Sequence, residues 1–171
     1  MNNKSYRITA AGSERRGDIF EFVLSTMKQL YAPGTYNENP ADLAHFDDIY
    51  VKPDHACFFL AENEIGQIIG TAAVRPYDGR FPFMEPFFQG PAIGEVTKVY
   101  VSQNYRGQGV GSALYAEWET FARRAGYTDG YLHTELHLPG GYPFWKSSGY
   151  VERHWATEQL VHMTKRIGGI Y

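Results

Sequence analysis

The sequence predicts a single α/β domain. Three observations lead there: a length of 171 residues, an alternation of strand-like and helix-like stretches along the chain, and a strand that runs into a glycine loop and a helix between Gly94 and Ala125. A chain of this size buries about 70% of the surface its unfolded form exposes, so it needs no metal or disulfide staple. Hydrophobic residues make up 43% of the chain and charged residues 20%, a balance that excludes intrinsic disorder. No repeat, linker or low-complexity segment interrupts it, and the expected domain spans residues 1–171.

Residues Ser5 to Ala10 alternate and open a short strand. Asp18 is placed as the cap of a helix in which Phe22, Val23, Met27, Leu30 and Tyr31 recur at helical spacing, closed by Pro33-Gly34. The turn cluster Tyr36 to Pro40 leads into a second, shorter helix over Ala41 to Tyr50, ended by Pro53. Ala56 to Ala61 reads as a buried strand, with Gln67 to Val74 as its hairpin partner across Asn63-Glu64. Tyr77 to Pro91 is rich in Gly, Pro and Phe, has no period, and reads as a long ordered aromatic excursion.

Gly94 to Val101 is a strand, with Val96, Val99 and Val101 among polar neighbours. From Val110, the residues Leu114, Trp118, Phe121 and Ala125 project onto one helical face, and Gly126 suits the C-cap. Asp129 to Leu136 is another strand, and Pro139 to Gly141 a turn. Tyr142 to Ser148 is a short helix stopped by Gly149, and strands near Tyr150–Trp155 and Gln159–Met163 follow.

Composition excludes several function classes. Against 19 Asp+Glu there are 16 Lys+Arg, a net charge of −3, which lacks the basic excess of a nucleic-acid binder. The one cysteine, Cys57, excludes an internal disulfide and any multi-cysteine zinc site. Within Ala56-Cys57-Phe58-Phe59-Leu60 it reads as a buried thiol rather than a nucleophile. Met1 to Ser5 carry no apolar run of signal-peptide type, and no stretch nears the ~20 apolar residues of a membrane span. A soluble cytoplasmic protein with no membrane partner is expected. The 16% aromatic content is compatible with a homodimer, whose interface the sequence does not locate.

The informative stretch is Glu95-Val96-Thr97-Lys98-Val99-Tyr100-Val101, followed by Arg106-Gly107-Gln108-Gly109-Val110-Gly111-Ser112. Glycines permit positive φ and close approach of a ligand to backbone. A helix N-terminus adds unpaired N–H groups and partial positive charge, which together suit a phosphate. A Walker loop fails, because no Gly-Lys-Ser/Thr ends the motif. A dinucleotide fingerprint fails at its third glycine, which would fall on Ser112, and it would also need to follow the first strand. What remains is Arg-x-x-Gly-x-Gly at Arg106, Gly109 and Gly111.

This pattern resembles the acyl-CoA loop of the Gcn5-related N-acetyltransferase (GNAT) family. The resemblance extends to the Val99-Tyr100-Val101 strand, the Leu114/Trp118 helix, the Phe144-Trp145-Lys146-Ser147-Ser148-Gly149-Tyr150 segment and the element order along nearly the whole chain. It implies a mixed, mostly antiparallel central sheet flanked by helices, with acetyl-CoA as cosubstrate. Backbone groups along Val99, Tyr100 and Val101 would meet the pantetheine arm, and an N–H there, that of Val99, would polarise the thioester carbonyl. Amides of Arg106, Gly107, Gln108, Gly109, Val110, Gly111 and Ser112 would hold the pyrophosphate. The Arg106 side chain either adds a charge contact or makes an ordinary surface ion pair.

Acyl transfer to an amine needs a base, an oxyanion donor and a proton for the leaving thiolate. The resemblance implies Glu95 as the base, acting through water; a solvent-facing glutamate at a strand end is the plainer alternative. His133, Glu135 and His137 alternate and are expected on one strand face. Without supporting Cys or Asp no metal is expected there, and a reserve base is the role either histidine suits. The family's acid is a tyrosine at the position of Trp145, and its usual upstream asparagine is here Leu138. Tyr142, one helical turn earlier, is the substitute acid; water or the attacking amine is the other source.

In the family the acceptor lies against the first two helices and later loops. Glu38, Asp42, Asp47, Asp48 and Asp54, with Tyr31, Tyr36 and the Phe81-to-Phe88 loop, suit a cationic primary amine of a small molecule or peptide. A solvated acidic face beside a core aromatic cluster fits the same residues. The reading is therefore an acetyl-CoA-dependent N-acetyltransferase acting by direct attack. The competing one is a non-catalytic acyl-CoA-binding or sensor module on the same fold.

Overall fold

A computed structural model describes residues 5–168; Met1–Lys4, on which the expected lack of a signal peptide rests, lie outside them. The strands are β1 (Tyr6–Ala10), β2 (Cys57–Asn63), β3 (Ile68–Pro76), β4 (Ile93–Val101), β5 (Asp129–Glu135), β6 (Val151–Trp155) and β7 (Leu160–Arg166). The helices are α1 (Arg16–Leu30), α2 (Ala41–Ala44), α3 (Val110–Arg124) and α4 (Gly141–Ser147). The seven strands run β1-β2-β3-β4-β5-β7-β6 across one sheet. The β1–β2, β2–β3, β5–β7 and β6–β7 ladders are antiparallel, and β4–β5 is parallel. This is the mixed, mostly antiparallel α/β architecture expected from the sequence.

Two expectations are corrected. Helix α1 starts before Asp18: Arg15 is its N-cap residue, with no side-chain cap bond, and Asp18 in the first turn instead takes the Arg15 guanidinium at 3.1 Å. An acid there complements the positive end of the helix without capping it. The helix expected over Ala41 to Tyr50 is α2 followed by a separate π-type turn, Asp47–Val51. The break falls at His45, whose φ −108 and ψ 38 leave helical geometry. Elsewhere the aromatic excursion proves to carry a short 3-10 helix, Pro82–Phe87.

The chain divides into two compact units, one of Met1–Arg75 with Thr97–Phe121, the other of Pro76–Val96 with Ala122–Tyr171. In the first, α1 and the α2 region bury Ile19, Val23, Leu43, Phe46 and Tyr50 against Phe58, Leu60 and Ala73 of the sheet. Helix α3 joins this unit through its predicted apolar face: Leu114 and Trp118 are fully buried, and the Trp118 indole N–H donates to the Ala73 carbonyl at 2.9 Å. In the second, Tyr131 and Leu132 of β5, Trp145 and Tyr150 around α4, and Val161 and Met163 of β7 are buried.

One glycine sets how closely α3 approaches β3. A Cβ on Gly70 would stand 2.9 Å from Leu114 Cδ1, 3.1 Å from Val110 Cγ1 and 3.2 Å from the Tyr100 carbonyl. The start of α3 therefore sits on β3 at a distance where an added Cβ would force Leu114, Val110 or the Tyr100 backbone to give way. Gly70→Ala is expected to overpack this contact and destabilise by about 1–3 kcal/mol. A urea denaturation midpoint equal to wild type would show that α3 does not rest on Gly70.

Candidate active site

In the first unit, the loop residues Gly107 and Gly109 have φ of 76° and 83°, the left-handed region in which glycine is unstrained. Gly107, Gln108 and Gly109 are exposed, whereas Val110 is buried and anchors the start of α3. The loop is held from its flanks. Arg106 Nε donates to the Val101 carbonyl at 3.1 Å, and Gln108 Nε2 to the Asn104 carbonyl at 3.0 Å. The Arg106 side chain thus ties the loop back to the end of β4 through its Nε. The first-turn amides of α3 have no partner within the helix, so the loop presents N–H donors and a positive helix end in one exposed place. These residues fit a pyrophosphate.

β4 changes character along its length. Its ladder to β5 covers Ile93, Gly94 and Glu95 against Asp129, Gly130 and Tyr131. Three residues past Glu95, Lys98 has φ 53°, and it is the one non-glycine residue with positive φ among the described residues. Its ammonium lies 2.9 Å from Asp42 Oδ2, and its carbonyl accepts the Thr71 hydroxyl at 2.7 Å. Asp42 also accepts the Tyr50 hydroxyl at 2.5 Å. Burial pushes the Asp42 carboxyl up, but Lys98, Tyr50 and Arg75 together outweigh it and hold the group below its ordinary value. Strand β4 then continues through Val99, Tyr100 and Val101, and Ser102 N donates to the Ile69 carbonyl at 2.8 Å.

In the second unit, Glu95 is 2% exposed, so it is not a solvent-facing strand-end residue. Both of its carboxylate oxygens take the Arg80 guanidinium, Nη1 at 3.1 Å and Nη2 closer. Burial works against the Arg80 charge, yet Glu95 and Asp78 outweigh it and hold the guanidinium charged. Arg80 lies in the irregular segment after β3, where Phe81 N donates to the Tyr77 hydroxyl at 2.8 Å, and its guanidinium lies over the Phe81 ring at 4.9 Å.

Beside this pair lies a histidine and aromatic cluster. Tyr131 Oη is 2.8 Å from His162 Nδ1 and 3.4 Å from His133 Nδ1. Phe81 and Phe83 pack edge-on to His162, with ring centroids 4.9 and 5.1 Å away. Burial above all, then the charges of His133, His154 and Arg80, pushes His162 down to about 4. His133 is exposed. β5 ends at Glu135, so His137 falls in the following turn, off the shared face expected of it, and pairs with Glu135 at 3.0 Å. Among the described residues no group of three or more His, Cys, Asp or Glu is arranged to hold a metal.

Tyr142 opens α4, and its hydroxyl donates to Glu152 Oε1 of β6, which raises the phenol above its ordinary value. Lys146 Nζ reaches the same carboxylate oxygen at 3.1 Å. Trp145 is buried, with its ring centroid 5.5 Å from that of Tyr150. Cys57 is half-buried, and burial pushes its thiol up to about 11, which keeps it protonated and unsuited to attack. Of the acids expected near an acceptor, Asp42 is paired to Lys98 and Asp48 to Lys52 at 2.5 Å. Sequence reasoning missed Arg80, Thr71 and the Lys98–Asp42 pair. Each is joined to its partner across at least 15 residues of chain, beyond the reach of any local pattern.

The acetyltransferase (GNAT) family model matches residues 23–150. Among curated proteins, "N-acetyltransferase 8" of Mus musculus is 31% identical over 113 residues, taking in 64% of this chain and 44% of its own length. "N-acetyltransferase 8F1" of Mus musculus is 26% identical over 172 residues, 95% of this chain and 71% of its own. The chain thus spans less than half of the first relative's length. Among solved structures, a GNAT-family acetyltransferase from Staphylococcus aureus superposes with a TM-score of 0.78 at 17% identity, covering 95% of this chain and 99% of its own. A GCN5-related N-acetyltransferase from Kribbella flavida gives a TM-score of 0.67 at 19% identity, covering 95% and 98%.

The neutral state of His162 sets a pH dependence of stability. In the unfolded chain the imidazole takes a proton near 6.5, in the fold only near 4, so the unfolded state binds more protons between those values. Stability is therefore complete above 6.5 and falls as the pH drops towards 4. Thermal midpoints measured through this window should fall less steeply for His162→Gln than for wild type. Parallel slopes would show that His162 does not set the acid limb.

Proposed function

Since the chain belongs to the acetyltransferase (GNAT) family, an acyltransferase family that uses acyl-CoA donors, we propose that it moves an acetyl group from acetyl-CoA to a primary amine of a small molecule or peptide by direct attack. The observation that carries this reading is the continuous run of β4, its left-handed residue Lys98, the glycine loop and α3. In this reading Val99, Tyr100 and Val101 offer backbone groups to the pantetheine arm. The amides from Arg106 to Ser112 hold the pyrophosphate, and the Val99 N–H takes the developing oxyanion. The cosubstrate supplies an activated carbonyl and a thiolate leaving group. The chain works as one acetyltransferase domain in the cytoplasm; among the described residues no helix is long and apolar enough to cross a membrane.

Glu95 takes the amine proton through a water, while Arg80 keeps the carboxylate oriented by its two contacts. A second candidate for the base is His133, favoured by the fact that Arg80 covers both Glu95 oxygens. Tyr142 protonates the leaving thiolate, a role that begins with its hydroxyl exchanging Glu152 for the sulfur. With Asp42 and Asp48 in ion pairs, the charge offered to a cationic acceptor comes from Glu38, Asp47 and Asp54. Asp47 Oδ1 is buried with no hydrogen-bond partner within the protein.

The competing reading, an acyl-CoA sensor without turnover, draws on buried Trp145, which has no acidic proton to give where the family has a tyrosine. Thioester cleavage measured with acetyl-CoA and a panel of primary amines separates the two. Turnover on an amine supports the enzyme; tight CoA binding with none on any amine overturns it.

Once a working amine is known, Glu95→Gln should lower kcat by about 10²- to 10⁴-fold. If His133→Ala does this and Glu95→Gln does not, the base is the histidine. Gly109→Val forces a β-branched residue to φ 83° and should weaken CoA binding about tenfold or more. An unchanged Kd by calorimetry would remove the loop from the cosubstrate site.

A further inference from the structure

We propose that Asp42, Tyr50 and Thr71 are positioning residues for acyl transfer: acting through Lys98, they hold the β4 backbone in the left-handed turn that orients the Val99 amide. The inference rests on the acetyltransferase reading and adds to it which side chains set the carbonyl-polarising peptide.

Lys98 is a poor residue for its conformation. A side chain with a Cβ crowds its own carbonyl at φ 53°, and asparagine or glycine is the usual occupant of that region. A non-glycine residue persists there only when its surroundings over-determine it. Here they do so from two sides. The Thr71 hydroxyl of β3 holds the Lys98 carbonyl at 2.7 Å, which fixes the peptide joining Lys98 to Val99. At the other end of the residue, the ammonium is drawn to Asp42 at 2.9 Å, and both side chains are nearly buried, 14% and 7% exposed. The Tyr50 hydroxyl, at 2.5 Å, fixes the same Asp42 oxygen, and Arg75 Nη1 stands 3.9 Å away.

A buried ion pair is costly to assemble unless it is well matched and hydrogen-bonded, and replacing it by apolar residues is often neutral for stability. Stability alone therefore does not account for it. Geometry offers a reason. In a strand, successive amides point to opposite edges; one left-handed residue breaks that alternation and re-aims the N–H that follows. That N–H belongs to Val99. Asp42 sits in α2 and Tyr50 in the turn after it, so the segment placed by family resemblance beside the acceptor is joined by an ion pair to the peptide that would receive the oxyanion.

The test compares two double variants that both delete the ion pair and differ only in their tolerance of positive φ: Lys98→Gly with Asp42→Asn, and Lys98→Ala with Asp42→Asn. The expected kcat on the working amine falls from wild type to the glycine pair to the alanine pair. The glycine pair should recover about tenfold or more over the alanine pair, since a small misplacement of a catalytic donor is costly. Affinity for CoA itself, which lacks the acyl carbonyl, should match in the two pairs by calorimetry. Equal kcat in both pairs, or a loss that follows CoA affinity, overturns the proposal. Thr71→Val serves if neither pair folds: kcat should fall with CoA affinity kept, and an unchanged kcat overturns the inference. Failure of wild type on every amine would instead reject the acetyltransferase reading beneath it.

Discussion

The ion pair between Lys98 and Asp42 is the constraint on which the candidate site turns. It joins β4 to the short helix α2, and it does so at the one described non-glycine residue with a positive φ. Desolvation disfavours both charges, and a single lysine near a single carboxylate would gain little. The Tyr50 hydroxyl on the same carboxylate and the Thr71 hydroxyl on the Lys98 carbonyl change that balance, because each hydrogen-bonds and orients one end of the pair. The residues that follow, Val99 to Val101 and the loop from Arg106, inherit their direction from this point and from the Arg106 contact to the Val101 carbonyl.

The same principle governs the other buried acids. Glu95 is held at both oxygens by Arg80. Glu62, on β2, takes Arg7 at 3.0 Å and Arg15 at 2.6 Å, which ties it to β1 and the start of α1. Asp129 accepts the Gln89 and Gly90 amides at 2.9 and 3.0 Å and so pins the end of the aromatic excursion. Each is a carboxylate buried only because a partner from a distant segment meets it. The weakly acidic composition thus conceals acids already committed to the fold. The aromatic excess divides in a similar way: Trp118 serves the first unit's packing, while Phe81 and Phe83 pack on His162.

Much of the fold was legible along the chain. Local periodicity placed the seven strands and the long helices within a few residues, since strand alternation and helical spacing are properties of short windows. It failed where a tertiary contact overrode local preference. Asp18 reads as a cap, but Arg15 draws its carboxylate sideways. Ala41 to Tyr50 reads as one helix, but the backbone breaks at His45 and Asp47 to Val51 form a separate turn. His137 reads as strand, but β5 ends at Glu135.

By itself, the sequence determined the α/β class, the glycine loop on the N-terminus of α3 and the family resemblance. All three are written in contiguous residues, and Gly107 and Gly109 take the positive φ their type permits. Tertiary structure alone decided which charges meet. The partners of Glu95, Asp42 and Lys98 lie at distant positions in the chain, and nothing in a short window distinguishes Arg80 or Asp42 from any other charged residue on a turn or helix. The left-handed conformation of Lys98 belongs with them. A lysine in a valine-rich strand predicts extended backbone, and only the converging contacts of Asp42 and Thr71 make the other conformation the stable one.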